Sequence, residues 1–185
     1  MMSPEQNDLI TRSGPGTKCG ALMRHYWHPV ALTDELLDER PAKAVRALGQ
    51  DFVLFRDERG RYGLLDRDCP HRNADLAYGR LEDGGLRCLF HGWKFTVDGT
   101  VLEMPNCVDP SLKSRLRAKT YPVREAGGLL WTYMGPKELE PPFQLYEFFG
   151  GGPENRCVFR INTPCNYLQL WEGGTDSSHV GILHC

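Results

Sequence analysis

Two short runs constrain this chain more than any other feature: Cys69-Pro70-His71 and, sixteen residues further on, Cys88-Leu89-Phe90-His91. Each supplies one thiol and one imidazole. Pro70 and Gly92 suit tight turns, so the pattern predicts two loops that bring four ligands together.

The residues around these runs read as β-structure from about Val45 to Met134. Asp51–Phe55 and Arg61–Leu65 are short apolar runs separated by the Asp57–Gly60 turn. Trp93–Val97 leads into Asp98-Gly99, a hairpin signal, and Val101–Met104 is the expected return strand. Leu129–Tyr133 closes the series. Short strands at this spacing predict a small antiparallel sandwich or barrel. Trp93, Phe95 and Trp131 are expected in its core. Ahead of it, Thr17–Tyr26 predicts a helix capped by Thr17, with Cys19, Leu22, Met23 and Tyr26 on one face.

Two metals accept this ligand set. Structural zinc takes two Cys and two His, but usually with two to four residues inside the first pair, where only Pro70 stands here. A [2Fe–2S] centre of the Rieske type puts two thiolates on one iron and two imidazoles on the other. Neutral imidazoles leave the reduced cluster less negative, which raises its potential to roughly −150 to +300 mV across the class.

Composition limits the function classes. The chain has 185 residues, 41% of them hydrophobic and 25% charged, enough for a packed core. A net charge of −2 gives no reason to expect a nucleic-acid partner. No stretch approaches the roughly 20 apolar residues of a membrane span. The start, MMSPEQNDLITRSGPG, has no apolar leader core, so the expected location is cytoplasmic. Seven cysteines without such a leader argue against a disulfide framework. Cys19, Cys107, Cys157, Cys165 and Cys185 are expected as small buried hydrophobes. His25 and His28 are expected to pack or lie at the surface. Lys113, Arg115, Arg117 and Lys119 alternate along a possible strand, expected as a solvated face, with docking of an acidic reductase as the other reading.

A Gly- and Pro-rich stretch at 135–153 separates the β-region from the end of the chain. There a strand is expected around Cys157–Ile161 and a helix from about Asn166. Asn166, Gln169, Glu172, Asp176 and His179 would share one face of a continuous helix, with Gly173-Gly174 as the expected break. His179 and His184 would diverge by roughly 140° on a regular helix. Binding one metal therefore requires an irregular turn, which Gly181 permits, or His184 lying past the helix end. Two imidazoles and a carboxylate make the facial triad of non-haem Fe(II) oxygenases. The domain reading is 1–26 helical segment, 27–136 cluster-binding β-domain, 137–156 linker, and 157–185 the start of a second domain.

Cys-Pro-His-Arg at 69–72 and Leu-Phe-His-Gly-Trp-Lys-Phe at 89–95 resemble the Rieske domain of ring-hydroxylating oxygenase large subunits. Asp176-x2-His179-x4-His184 resembles that family's mononuclear-iron motif. Glu172–His179 and Tyr26–Val30 are similar to its phthalate 4,5-dioxygenase-like branch, which includes aromatic-acid hydroxylases and O-demethylases. The resemblance implies a mainly β fold: a Rieske-type antiparallel β-sandwich holding [2Fe–2S], then the truncated start of an α+β catalytic domain. It implies Cys69, His71, Cys88 and His91 as cluster ligands and His179 and His184 as ligands of a mononuclear Fe(II). Asp176 is implied to link a cluster histidine of a neighbouring subunit to an iron histidine. Glu172 and Asn166 are implied only as supporting residues. The family's third iron ligand, a later aspartate, has no counterpart in these residues, so the chain reads as an N-terminal fragment, inactive alone. Trp93 stands where high-potential Rieske proteins commonly carry a serine that hydrogen-bonds cluster sulfur, which fits a lower potential. Implied partners are a flavin/iron–sulfur reductase fed by NAD(P)H, O2 and an aromatic acid such as phthalate, in a homotrimer or hexamer. The rival is a Rieske ferredoxin acting only as an electron carrier, which has no use for residues 157–185.

Overall fold

The computed structural model describes residues 2–36, 41–109 and 111–184. In chain order these form α1 (Pro4–Thr11), α2 (Lys18–Met23), β1 (Trp27–Leu32), β2 (Ala42–Ala47), β3 (Gln50–Arg56), β4 (Tyr62–Asp66), β5 (Arg80–Glu82), β6 (Gly85–Arg87), β7 (Lys94–Phe95) and β8 (Val101–Glu103). Then come α3 (Leu112–Arg115), β9 (Thr120–Tyr121), β10 (Val123–Ala126), β11 (Leu129–Tyr133), α4 (Tyr167–Thr175) and α5 (Ser177–Leu183). The strands pair antiparallel in three sheets of order β1-β11-β10, β2-β3-β4-β9 and β5-β6-β7-β8. The fold is mainly β, as the sequence predicts.

Three hairpins turn on two residues that both have positive φ: Leu48-Gly49 (+44° and +70°), Asp83-Gly84 (+46° and +76°) and Gly127-Gly128 (+66° and +80°). That is the type I′ geometry, whose twist matches that of the strands. Asp98-Gly99 lies instead in a wider turn, where Thr96 N–H donates to Thr100 O and the β7–β8 register shifts.

Side chains alternate across a strand, yet Phe52, Val53, Leu54 and Phe55 of β3 are all fully buried. Both faces of the second sheet are therefore covered. Phe52 and Leu54 pack with Leu64, Ala31 and Leu130, toward β1 and β11. Val53 and Phe55 pack with Leu65, Leu76, Leu86, Trp93, Phe95 and the sulfurs of Cys69 and Cys88. Burying a side chain of this size stabilises by about 1.5–3 kcal/mol. On β4, Gly63 faces Phe55 so closely that a Cβ would lie 2.6 Å from the ring.

Several expectations do not hold. The helix after Thr17 stops at Met23, and Leu22 and Tyr26 are exposed. Lys113–Lys119 is not a strand: Leu112–Arg115 makes one helical turn, and only Thr120 and Tyr121 join a sheet. Their four cations are exposed, as expected. Residues 156–163 form no strand, because no neighbour pairs with them among the described residues. Trp131 is only half-buried: it lies on the outer face of β11, against Phe143 and Phe149 of the following segment. Cys157 and Cys165 are exposed and Cys19 and Cys107 partly so; their segments leave the sheets, which supply the burial. Cys185 lies outside the described residues.

Candidate metal centre

Two loops between the strands carry the first ligand set, and they close in the same way. In the first, Cys69 N–H donates to Ala74 O (2.9 Å) and Asn73 N–H to Cys69 O (2.8 Å). In the second, Cys88 N–H donates to Trp93 O (2.8 Å) and Gly92 N–H to Cys88 O (3.0 Å). The residue four after each cysteine is left-handed, Asn73 at φ +55° and Gly92 at +75°. Asparagine and glycine are the residues that accept this conformation most readily. An arginine braces each loop. Arg67 donates twice to Asp75 (2.9 and 2.5 Å), and Asp75 also accepts from Ala77 N–H. Arg87 donates to Gly92 O (2.7 Å) and to Glu103 (2.7 Å), and pairs with Glu82.

The two cysteines are buried in the core beneath the loops, and the two histidines stand half-buried above them. The His71 and His91 rings meet edge to face with centroids 4.6 Å apart. Trp93 stacks on His71, at 4.7 Å and 5° between planes, and Phe90 lies 4.0 Å from His91. Burial pushes the Cys69 thiol up to about 11, helped by the neighbouring Cys88, while the backbone N–H groups of His71 and Arg72 pull the other way. The His71 imidazole is pushed down, first by partial burial and then by His91 and Arg72, which keeps it neutral and able to ligate.

This donor set fits a two-iron centre. Cys69 and Cys88 meet as a thiol pair, and His71 and His91 as an imidazole pair. A [2Fe–2S] cluster takes one pair on each iron, whereas tetrahedral zinc needs all four on one ion.

The second set lies on α4 and α5. The helix does not break at Gly173-Gly174, where the sequence places it. α4 continues through both glycines to Thr175, and the break falls at Asp176 (φ −81°, ψ 99°). Asp176 Oδ1 accepts from Ser178 N–H at 2.9 Å and so caps α5. An aspartate cap satisfies a free N–H that a continuing helix would not leave. The five polar residues therefore do not share one continuous helix face. His184 follows the end of α5 and has left helical geometry (φ −112°, ψ 24°), while the helix runs through Gly181. Nε2 of His179 and Nε2 of His184 are 3.3 Å apart. Two imidazoles at right angles on one ion, with bonds of roughly 2.1 Å, stand about 3 Å apart. The two rings thus stand at the spacing of neighbouring ligands on one ion, the arrangement a facial triad asks of its two imidazoles.

His28 is tied down, its Nε2 donating to Met23 O at 2.7 Å. Sequence reasoning overlooked the bracing of Arg67 by Asp75 and of Arg87 by Glu103, and the stack of Trp93 on His71. Asn73, four residues after Cys69 as Gly92 is after Cys88, was the signal that the two loops match.

A three-layer β-fold that buries two thiols under two half-exposed imidazoles is built for an iron–sulfur centre of mixed ligation. The Rieske [2Fe-2S] domain model matches residues 26–122, and the chain belongs to that family. It is 44% identical over 188 residues to the oxygenase subunit of 5,5'-dehydrodivanillate O-demethylase from Sphingobium sp., covering 100% of this chain and 44% of the relative. It is 40% identical over 189 residues to the oxygenase subunit of phthalate 4,5-dioxygenase from Pseudomonas putida, covering 100% of this chain and 42% of the relative. A crystal structure of dicamba monooxygenase with non-heme iron and dicamba is similar at 30% identity and a TM-score of 0.61, over 69% of this chain and 38% of that one. The chain spans less than half the length of these curated relatives.

Proposed function

We propose that this chain is the cluster-bearing part of the oxygenase component of a Rieske non-haem iron oxygenase. In this reading residues 27–136 are the cluster domain, 137–156 a linker and 157–185 the start of the catalytic domain. Cys69 and Cys88 hold one iron of the cluster and His71 and His91 the other. His179 and His184 hold a mononuclear Fe(II) whose third ligand lies outside these residues. When bound, the two groups supply one-electron relay and O2 activation.

The chain's own residues prepare both sites. Buried Cys69 and Cys88 exclude water from the inner side of the first site. His71 and His91 reach the surface and give electrons a short way in and out. The N–H groups of His71 and Arg72 stabilise the Cys69 thiolate by hydrogen bonding, and such bonds raise a cluster's potential. Asp176 holds α5 at its N-terminus and so places His179, while its carboxylate stands available to a neighbouring subunit's histidine.

The substrate is an aromatic acid such as phthalate, hydroxylated or demethylated, with electrons from NAD(P)H through a flavin/iron–sulfur reductase. The assembled protein is a trimer or hexamer in the cytoplasm; no helix among the described residues is long and apolar enough to cross a membrane. One observation carries the reading: two identically closed loops place Cys69 and Cys88 together in the core and the His71 and His91 rings 4.6 Å apart. The similarity to oxygenase subunits, which extends over residues 157–185, favours it over a ferredoxin that only carries electrons.

The test is anaerobic purification, with iron and acid-labile sulfide counted and the reduced EPR spectrum recorded. A Rieske spectrum with two irons and two sulfides per chain, abolished by Cys69→Ser and by His91→Ala, is the expected result. A colourless protein holding one zinc overturns the reading.

A further inference from the structure

Trp93 does two things at once. Its backbone C=O accepts from Cys88 N–H (2.8 Å) and closes the second loop, while its indole lies flat on His71 of the first loop. Trp93 is 7% exposed and its indole continues inward to Phe95, with ring centroids 6.3 Å apart, so it is anchored in the core rather than draped over the surface. His91 has a different neighbour, Phe90, which is 63% exposed. One imidazole therefore rests on a fixed wall and the other on a solvent-facing ring.

We propose that Trp93 is a positioning residue for His71. It fixes the imidazole plane across the gap between the loops, so that the two histidine ligands are inequivalent by construction. A planar, packed side chain restricts the rotation of an imidazole laid against it, since turning the ring forces it into the indole face. Residues that orient a ligand histidine typically alter metal retention 10–100-fold when changed. The proposal rests on the cluster reading above, and its test separates the two.

Trp93→Phe keeps a flat ring; Trp93→Met fills space without one. Both are loaded with cluster and compared with the unaltered chain by nitrogen hyperfine couplings in pulsed EPR of histidine-labelled protein, and by the rate of cluster loss to a chelator. The expected result is a near-normal signal for the Phe variant. The Met variant should show one altered histidine coupling and cluster loss faster by about tenfold or more. A Met variant with both couplings and the loss rate unchanged overturns the proposal. So does a Phe variant altered as much as the Met variant, since that makes the residue a general packing element. If the Met variant does not fold, the unaltered metal-free chain still decides. Ring-current upfield shifts of the His71 protons, with the Phe variant normal, support the stack, and unshifted His71 protons overturn it. Failure of the unaltered chain to load any cluster would instead strike the functional reading.

Discussion

Glu103 stands between two cations. Lys94, whose side chain is 4% exposed, reaches it at 2.5 Å, and Arg87 reaches it at 2.7 Å. Lys94 first and then Arg87 hold its carboxyl down to about 2, from an ordinary 4.5. A depressed carboxylate contributes stability above its unfolded value, and that contribution disappears as the pH falls toward the folded one. The ion pair is thus in force above about pH 4.5 and lost between about 4.5 and 2. Glu103→Gln is expected to lower the urea midpoint near neutrality, because among the described residues it leaves Lys94 with the more distant Asp83 (3.7 Å) as its carboxylate partner. The variant should then lose less than the unaltered chain on acidification through that window. Equal loss in both chains would show that other carboxylates carry the acid sensitivity.

At the scale of elements, Asp176 serves both as a cap and as a charge, and the two can be separated. Asn caps as well as Asp, whereas Ala costs about 1 kcal/mol at a cap. Asp176→Asn should leave the α5 amide shifts in NMR spectra unchanged, and Asp176→Ala should fray the first turn of α5. An altered α5 in the Asn variant would mean that the charge itself holds the helix. The strands β3, β4 and β11 and the two Cys/His spacings are plain in the sequence, because they depend on local pattern and on apolar runs. The sequence placed the helix break at Gly173-Gly174 since glycine weakens a helix by propensity, but a cap hydrogen bond outweighs that weak preference. Asp83-Gly84 and Gly127-Gly128 carry the same kind of dipeptide signal as Asp98-Gly99, and it is they that make the two-residue turns. The strand expected at 157–161 needed a pairing partner, which no local pattern supplies. Trp93 was placed correctly in the core, but a contact made across two loops left no mark in the sequence.

For the molecule as a whole, the loops and the layers are coupled through Cys69 and Cys88, which stand on the two loops and belong to the hydrophobic core, and which hold the cluster in the function proposed above. A cluster bound by the folded chain and not by the unfolded one raises apparent stability by mass action. Reconstitution with iron and sulfide is therefore expected to raise the melting midpoint of the unaltered chain and to leave Cys69→Ser unmoved. A rise in both would mean that the metal binds elsewhere.

The double burial of β3 has a consequence for how the molecule breathes. A strand walled in on both sides opens only when both cores do, whereas helices with no buried residue, such as α1, α4 and α5, open without disturbing either core. In heavy water the amides of β3 and its partner β4 should be the last to trade their protons, and those of the terminal helices the first. The chain's slowest clock then runs in its middle sheet, one layer beneath the loops that meet the outside world.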